Sequence, residues 1–274
     1  MNHKYIYLNG QLVSEDEAKL SVTDLAIQRG YGIFDFLKII KGKPIFIEDY
    51  FDRFYNSANE MNLEIDLERK ELHAAVNSLL AKNNIPNSSI KLILTGGYSE
   101  DGYQIAKPNL AIIQSPFEYD QASFYKGLNL VSHNYQRQFP AIKTIDYLQA
   151  IRLQSLLSLK ESDDLLYHNN GKIRECPRAN IFIVKDNEVI TPSTAVLRGI
   201  TRSKILGIKL NGITIKERNL YLKNLIEADE AFVTSSTKNV LPVLSLDGKP
   251  IGDGKPGKIT SALSEKLLEM ISNH

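Results

Sequence analysis

Three separated segments hold residue types that do chemistry when brought together. Ala141-Ile142-Lys143-Thr144-Ile145-Asp146-Tyr147-Leu148 sets a lysine in an apolar context at the expected entry to a helix. Taken alone it means little, since most lysines are solvated. Ile173-Arg174-Glu175-Cys176-Pro177-Arg178-Ala179-Asn180-Ile181-Phe182 places a carboxylate between a hairpin and an apolar strand. Leu197-Arg198-Gly199-Ile200-Thr201-Arg202 leads a glycine turn into a helix, whose first-turn N–H groups can hold an anion. Thr234-Ser235-Ser236-Thr237 adds hydroxyls directly after a strand. An amine for an aldehyde, a carboxylate for a pyridine nitrogen, and N–H and hydroxyl donors for a phosphate are what pyridoxal 5′-phosphate requires. Each piece by itself is more often structural.

The elements that must position these groups can be read from periodicity and turn chemistry. Tyr5 to Val13 forms a hairpin about Asn9-Gly10, and Leu165 to Lys172 another about Asn170-Gly171, because both central residues of such turns need positive φ. A strand over 33–40 precedes a turn at 41–44. Helices follow over 48–61, where Tyr50, Phe51, Phe54, Tyr55 and Ala58 share a face, and over 67–80. Strands are expected at 90–94 and 110–113, and then Ser115 to Asp120 breaks both periodicities. The division is therefore 1–116 and 117–274. The second part alternates strands at 128–131, 181–184, 188–191, 213–215, 231–234 and 243–246 with helices at 146–159, 201–206 and 259–271. The fold class is α/β, two domains with mixed sheets.

Composition narrows the function classes. Among 274 residues, 33 Lys+Arg against 32 Asp+Glu leave a net charge of +1. A nucleic-acid or anionic-membrane binder would show a clear basic excess. No stretch approaches the roughly 18 apolar residues of a membrane span, and the first ten lack a signal-peptide core. The expected location is the cytoplasm. The single cysteine, Cys176, excludes an internal disulfide, and His3, His73, His133, His168 and His274 show no metal-ligand spacing. Gly252-Asp253-Gly254-Lys255-Pro256-Gly257 matches GxGxxG and is rejected as a dinucleotide motif. The chain lacks room for the second strand of a βαβ unit, and Pro256 removes a backbone donor.

Over nearly its whole length the sequence resembles the class IV, or branched-chain-aminotransferase-like, pyridoxal-phosphate enzymes of fold type IV. The residues that carry the resemblance are Gly32-Ile33-Phe34-Asp35, Asp52-Arg53 with Ser57-Ala58, Ile142-Lys143-Thr144 with Asp146-Tyr147-Leu148, Glu175 with Asn180-Ile181-Phe182, and Leu197 to Arg202. The resemblance implies that Lys143 is the Schiff-base lysine and that Glu175 partners the ring nitrogen. It implies that Arg53, the N–H groups of Ile200 and Thr201, and the Ser236 hydroxyl hold the phosphate, with Leu197 under the ring. Without it, Arg53 reads as an exposed helix cation near Glu48 or Asp49. Tyr147 reaches the cofactor's phenolic oxygen or is core on an apolar helix face, and the sequence favours neither. An aminotransferase working by a ping-pong cycle, and a homodimer meeting near Arg29 to Tyr31, are further implications.

Departures from the family bear on the substrate. D-amino-acid aminotransferases of the family carry a carboxylate-trapping arginine where this chain has Gly96, and branched-chain members often carry one a few residues earlier, where this chain has Lys91. Asp35 replaces a glutamate. The expectation is an L-amino donor with an apolar side chain, its carboxylate held at the Ser236-Thr237 turn. Tyr31, Phe34 and Phe36 would line the side-chain pocket. Lys91 adds a distant charge or is merely exposed on an edge strand. The alternatives are elimination from an aminodeoxychorismate-like substrate, a D-amino-acid aminotransferase, a small-molecule-binding scaffold without turnover, and a structural oligomerisation module.

Overall fold

The computed structural model of the protein describes residues 4–120 and 122–274, so His3 lies outside the described residues. The chain divides into two compact units, residues up to 118 together with 142–146, and residues 119–141 together with 147–274.

In the first unit the Asn9-Gly10 pair, at φ 47° and 92°, closes the hairpin of β1 (Tyr5–Leu8) and β2 (Gln11–Ser14). Helix α1 (Leu25–Arg29) is too short to show a period in sequence. It is capped by Asp24, whose carboxylate accepts from the Ala26 N–H. Strands β3 (Gly32–Ile40) and β4 (Lys43–Pro44), helices α2 (Ile47–Glu60) and α3 (Arg69–Asn83), and strands β5 (Ser88–Thr95) and β6 (Leu110–Pro116) complete the unit. The turn expected over 41–44 narrows to Lys41-Gly42, because Lys43 and Pro44 pair with Ile40 and Ile39. The strands form an antiparallel sheet of order β2-β1-β6-β5-β3-β4. Along β3 the side chains alternate. Ile33, Leu37 and Ile39 are buried on the face covered by α2, which contributes Tyr50, Phe51, Phe54 and Ala58. Each large apolar side chain buried there is worth roughly 1.5–3 kcal/mol.

The second unit contains α4 (Ser123–Lys126), β7 (Leu128–Asn134), α5 (Leu148–Arg152), α6 (Gln154–Leu159), β8 (Asp164–Asn169), β9 (Lys172–Ile173), β10 (Asn180–Lys185) and β11 (Glu188–Thr191). It continues with α7 (Ile200–Gly207), β12 (Thr214–Glu217), α8 (Leu222–Ile226), β13 (Glu230–Ser235), β14 (Asn239–Leu246), β15 (Lys249–Pro250) and α9 (Lys258–Ser272). The sheet order is β12-β11-β10-β13-β14-β7-β8-β9, with β15 beside β14. It is mixed, since β11·β12, β14·β7 and β7·β8 are parallel. The helix expected over 146–159 is two helices, broken at Leu153 (φ −90°, ψ 7°). Leu153, Leu156 and Leu157 pack against Val131, Leu165 and Tyr167, whereas Leu148, Ile151 and Leu159 face outward. Among the described residues no helix is long and apolar enough to cross a membrane.

Candidate active site

In the first unit Lys143 is positioned by strand pairing. The Phe34 N–H donates to the Lys143 carbonyl at 2.9 Å, and the Ile145 N–H donates to the Gly32 carbonyl at 3.1 Å. Ile33 and Thr144 form an antiparallel bridge. Residues 142–146 thus extend the sheet beside β3. The sequence alone places the lysine in 117–274 at the entry to a helix, whereas here residues 142–146 group with the first unit and α5 begins at Leu148. The signal was too short to see: three residues of pairing carry no period. Paired residues share a face, so Thr144 goes with Ile33 to the α2 side and Lys143 with Phe34 to the other. The Lys143 Nζ stands 4.5 Å from the Phe34 ring centroid.

Phe36 and Lys38 continue the Lys143 face along β3. Lys91 stands opposite Phe36 in the register and is exposed, on a strand between β6 and β3, so it is not on an edge. Lys38 is 5% exposed, and burial pushes its amine down to about 8. Sequence reasoning passed over it, although its alternation with Phe34 and Phe36 was visible. Tyr31 leaves the expected pocket lining, because its hydroxyl donates to the Met61 carbonyl at 2.7 Å, at the end of α2. At Gly96 a Cβ would lie 2.9 Å from Leu25 Cδ1 and 3.0 Å from Tyr31 Cδ1, so this position does not accept a side chain without displacing its neighbours.

Arg53, with 11% of its side chain exposed, pairs with Asp35. Its Nε donates to Asp35 Oδ2 at 2.9 Å and its Nη2 to Asp35 Oδ1 at 2.6 Å. Asp35 is 1% exposed and also accepts from the Phe36 N–H. A two-point carboxylate fixes the plane of a guanidinium, which gives Asp35 a physical reason to be acidic.

In the second unit Glu175 is delivered by a β-bulge. Tyr167 accepts from the Arg174 N–H and donates to the Glu175 carbonyl, so two residues oppose one. Bulges re-aim side chains at functional sites. The carboxylate is 5% exposed. Its Oε1 accepts from Arg137 Nε at 2.9 Å, and its Oε2 from the Leu197 N–H at 2.9 Å. Arg137 also donates to the Phe139 and Pro140 carbonyls. Sequence reasoning missed Arg137, since it lies 38 residues from its partner in an irregular segment with no motif.

Leu197 serves through its backbone, donating to Glu175 and accepting from Asn180 Nδ2 at 2.7 Å. Asn180 thereby holds the turn before α7, and Gly199 is required there because a Cβ would come within 2.2 Å of Asn180 Oδ1. Ile200 and Thr201 open α7, whose N-cap Gly199 supplies no side-chain acceptor. Thr234 pairs with Asn180 across β10 and β13, hence shares its face, and its buried hydroxyl has no hydrogen-bond partner among the described residues. Ser236 and Thr237 lie in the connection from β13 to β14, where Ser235 Oγ accepts from the Lys238 N–H at 3.0 Å. Tyr147 caps α5 and its carbonyl accepts from the Ile151 N–H.

The glycine-rich segment before α9 is structural, as its sequence context indicates. Glu230 already fills that helix N-terminus, its carboxylate accepting from the Ile259 and Thr260 N–H groups at 3.0 and 2.7 Å. A phosphate there would meet a fixed negative charge.

Residues 32–246 match the family described as amino-transferase class IV. A Methanocaldococcus jannaschii protein provisionally named a branched-chain-amino-acid aminotransferase is 30% identical over 277 residues, 97% of this chain and 96% of that one. A D-alanine aminotransferase of Staphylococcus aureus (strain N315) is also 30% identical, over 98% of both chains. The fold is that of the branched-chain amino acid aminotransferase of Escherichia coli, with TM-score 0.91, 24% identity, and coverage of 98% of this chain and 95% of that one. With the matched region spanning most of the sequence, the chain belongs to the class IV aminotransferase family.

Proposed function

We propose that this aminotransferase uses pyridoxal 5′-phosphate to move an amino group between an L-amino acid with an apolar side chain and a 2-keto acid, by a ping-pong cycle, as a cytoplasmic homodimer. The observation that carries the cofactor reading is Glu175, an ionisable side chain almost removed from water and oriented through both oxygens. The residues also fit a phosphate: α7 begins without a side-chain cap, and the Thr234 hydroxyl on the adjoining face has no partner among the described residues. In this reading Arg53, the Ile200 and Thr201 N–H groups and Ser236 hold the phosphate, Leu197 packs under the ring, and Tyr147 orients the phenolic oxygen.

When bound, the cofactor supplies an electron-withdrawing ring that stabilises negative charge at the substrate α-carbon. Glu175 would partner the ring nitrogen, and Arg137 holds Glu175 in its orientation. Lys143 would hold the cofactor covalently, and its amine would serve as the base that takes the substrate α-proton and the acid that returns it. Thr237, through its backbone N–H, holds the substrate carboxylate. Phe34 and Phe36 form an apolar surface for the side chain, to which Lys91 adds a charge that cannot replace a bidentate arginine.

The steric closure at Gly96 supports an L-amino donor. A D-amino donor is the second reading, favoured by the D-alanine aminotransferase among the relatives. Borohydride reduction of the cofactor-loaded enzyme followed by peptide mapping should label Lys143; a label elsewhere overturns the site. A screen of L- and D-amino donors against 2-oxoglutarate and pyruvate decides the rest. Preference for D-alanine or D-glutamate selects the second reading, and release of pyruvate with an aromatic amine and no acceptor selects elimination.

A further inference from the structure

The connection from β13 to β14 is a short hairpin loop with Asn239 at φ 54°, and its conformation determines where the Ser236 and Thr237 N–H groups point. Ser235 Oγ takes the Lys238 N–H and lies 3.2 Å from Thr237 Oγ1. The Lys238 side chain does something a loop-tip lysine ordinarily does not. It turns inward, with 19% of its side chain exposed, and its Nζ reaches Asp164 Oδ2 at 3.4 Å. Asp164 begins β8 and its side chain is 7% exposed, while its other oxygen accepts from the Leu165 N–H. Burial pushes the Cys176 thiol up, and both charges lie close enough to act on it as well, Asp164 upward and Lys238 downward. Cys176 follows Glu175 directly. The pair therefore joins the tip of the β13–β14 loop to the strand pair that carries the Glu175 bulge.

We infer that Lys238 and Asp164 are positioning residues, a clamp that holds the Ser236–Thr237 loop in the conformation that binds the substrate carboxylate. The inference deepens the proposed function and rests on the loop's role in it. Ordering a lysine costs side-chain entropy, and a carboxylate with little access to water needs a counter-charge. Anchoring at Asp164 satisfies the carboxylate and confers the lost freedom on the loop as rigidity. Asn239, the next residue, is 2% exposed and hydrogen-bonded with Tyr119. Lys238 and Asn239 thus anchor the loop where it enters β14 through two consecutive side chains. With Lys238 cut away, one of these two contacts is lost.

The test uses Lys238→Met, Asp164→Asn, the double variant and Lys238→Arg, each loaded with cofactor. Hydrogen exchange of the amides of 236–239, followed by mass spectrometry, reads the clamp without reference to turnover. Steady-state kinetics read its consequence. Exchange should accelerate roughly fivefold in each neutral variant, as expected for losing a partly buried ion pair. KM for both amino and keto acid should rise by a similar factor with kcat changed less than twofold. Lys238→Arg should restore both, and the double variant should be no worse than either single one. Unchanged exchange overturns the clamp, and faster exchange with unchanged KM overturns its role in positioning. If wild-type enzyme turns over no amino acid at all, the functional reading has failed, and hydrogen exchange still decides the clamp on its own.

Discussion

Glu175 and Arg137 illustrate how much chemistry depends on single contacts. The Glu175 carboxylate is held by a guanidinium through one oxygen and by a backbone N–H through the other, which fixes its orientation. Glu175→Gln preserves shape and removes that charge. A charge-assisted hydrogen bond is worth roughly 1.5–3 kcal/mol, which corresponds to about 10- to 100-fold in rate. Transamination should fall by that order while the fold and much of the cofactor absorbance persist; unchanged turnover would mean that another group serves the ring nitrogen. Arg137→Met should lower turnover in the same direction by loosening Glu175. Lys38 offers a different residue-scale test. Its amine titrates near 8 in the folded chain, below the 10.5 of a free lysine. The unfolded chain thus binds more protons between those values, and this group's contribution to stability rises with pH across that window. Thermal unfolding from pH 7.5 to 10.5 should show the wild type gaining relative to Lys38→Met, and parallel curves would refute the assignment.

At the scale of elements, the segment before α7 depends on a close fit between two strands and a turn. Asn180, on β10, holds Leu197 by its carbonyl, and the missing side chain at Gly199 leaves room for the Asn180 amide. Gly199→Ala places a Cβ where Asn180 Oδ1 now sits, so the amide or the turn must shift. Cofactor affinity should weaken severalfold and the helix N-terminus should lose its ability to stabilise an anion. Equilibrium titration with pyridoxal 5′-phosphate checks this; retention of wild-type affinity would show that the α7 N–H groups do not bear on the phosphate. The strand pairing of residues 142–146 with β3 belongs to the same scale. It explains why a lysine with no distinctive immediate neighbours is held rigidly against Phe34.

For the whole molecule, the proposed homodimer has a physical basis in the first unit. Val22, Ile27, Tyr98 and Tyr103 are 75%, 57%, 43% and 84% exposed. They sit on neighbouring segments: Asp24 bridges Tyr98, the Ser99 N–H donates to the Thr23 carbonyl, and Gly102 lies against Gln28. Exposed apolar side chains on neighbouring segments mark an interaction surface. Sedimentation of active enzyme should give a species of two chains, and Ile27→Asp with Tyr103→Asp should shift it toward one. An active wild-type single chain would contradict the proposal.

Much was legible in the sequence alone. Asn-Gly pairs located both hairpins, since few residues tolerate positive φ. The aromatic spacing of α2 revealed its buried face, and the order of Lys143, Glu175 and the glycine turn at 199 was specific enough to indicate the family. These features are local, set by backbone sterics and side-chain period, and so survive in a linear reading. What depended on tertiary structure was pairing between distant residues. The partner of Arg53 is 18 residues away, that of Glu175 is 38, and that of Lys238 is 74. The register beside β3, the bulge at 174–175 and the direction of Tyr31 were likewise settled only when strands met. Hydrogen bonding and burial act between neighbours in space, and the linear order of residues carries no record of which neighbours those will be.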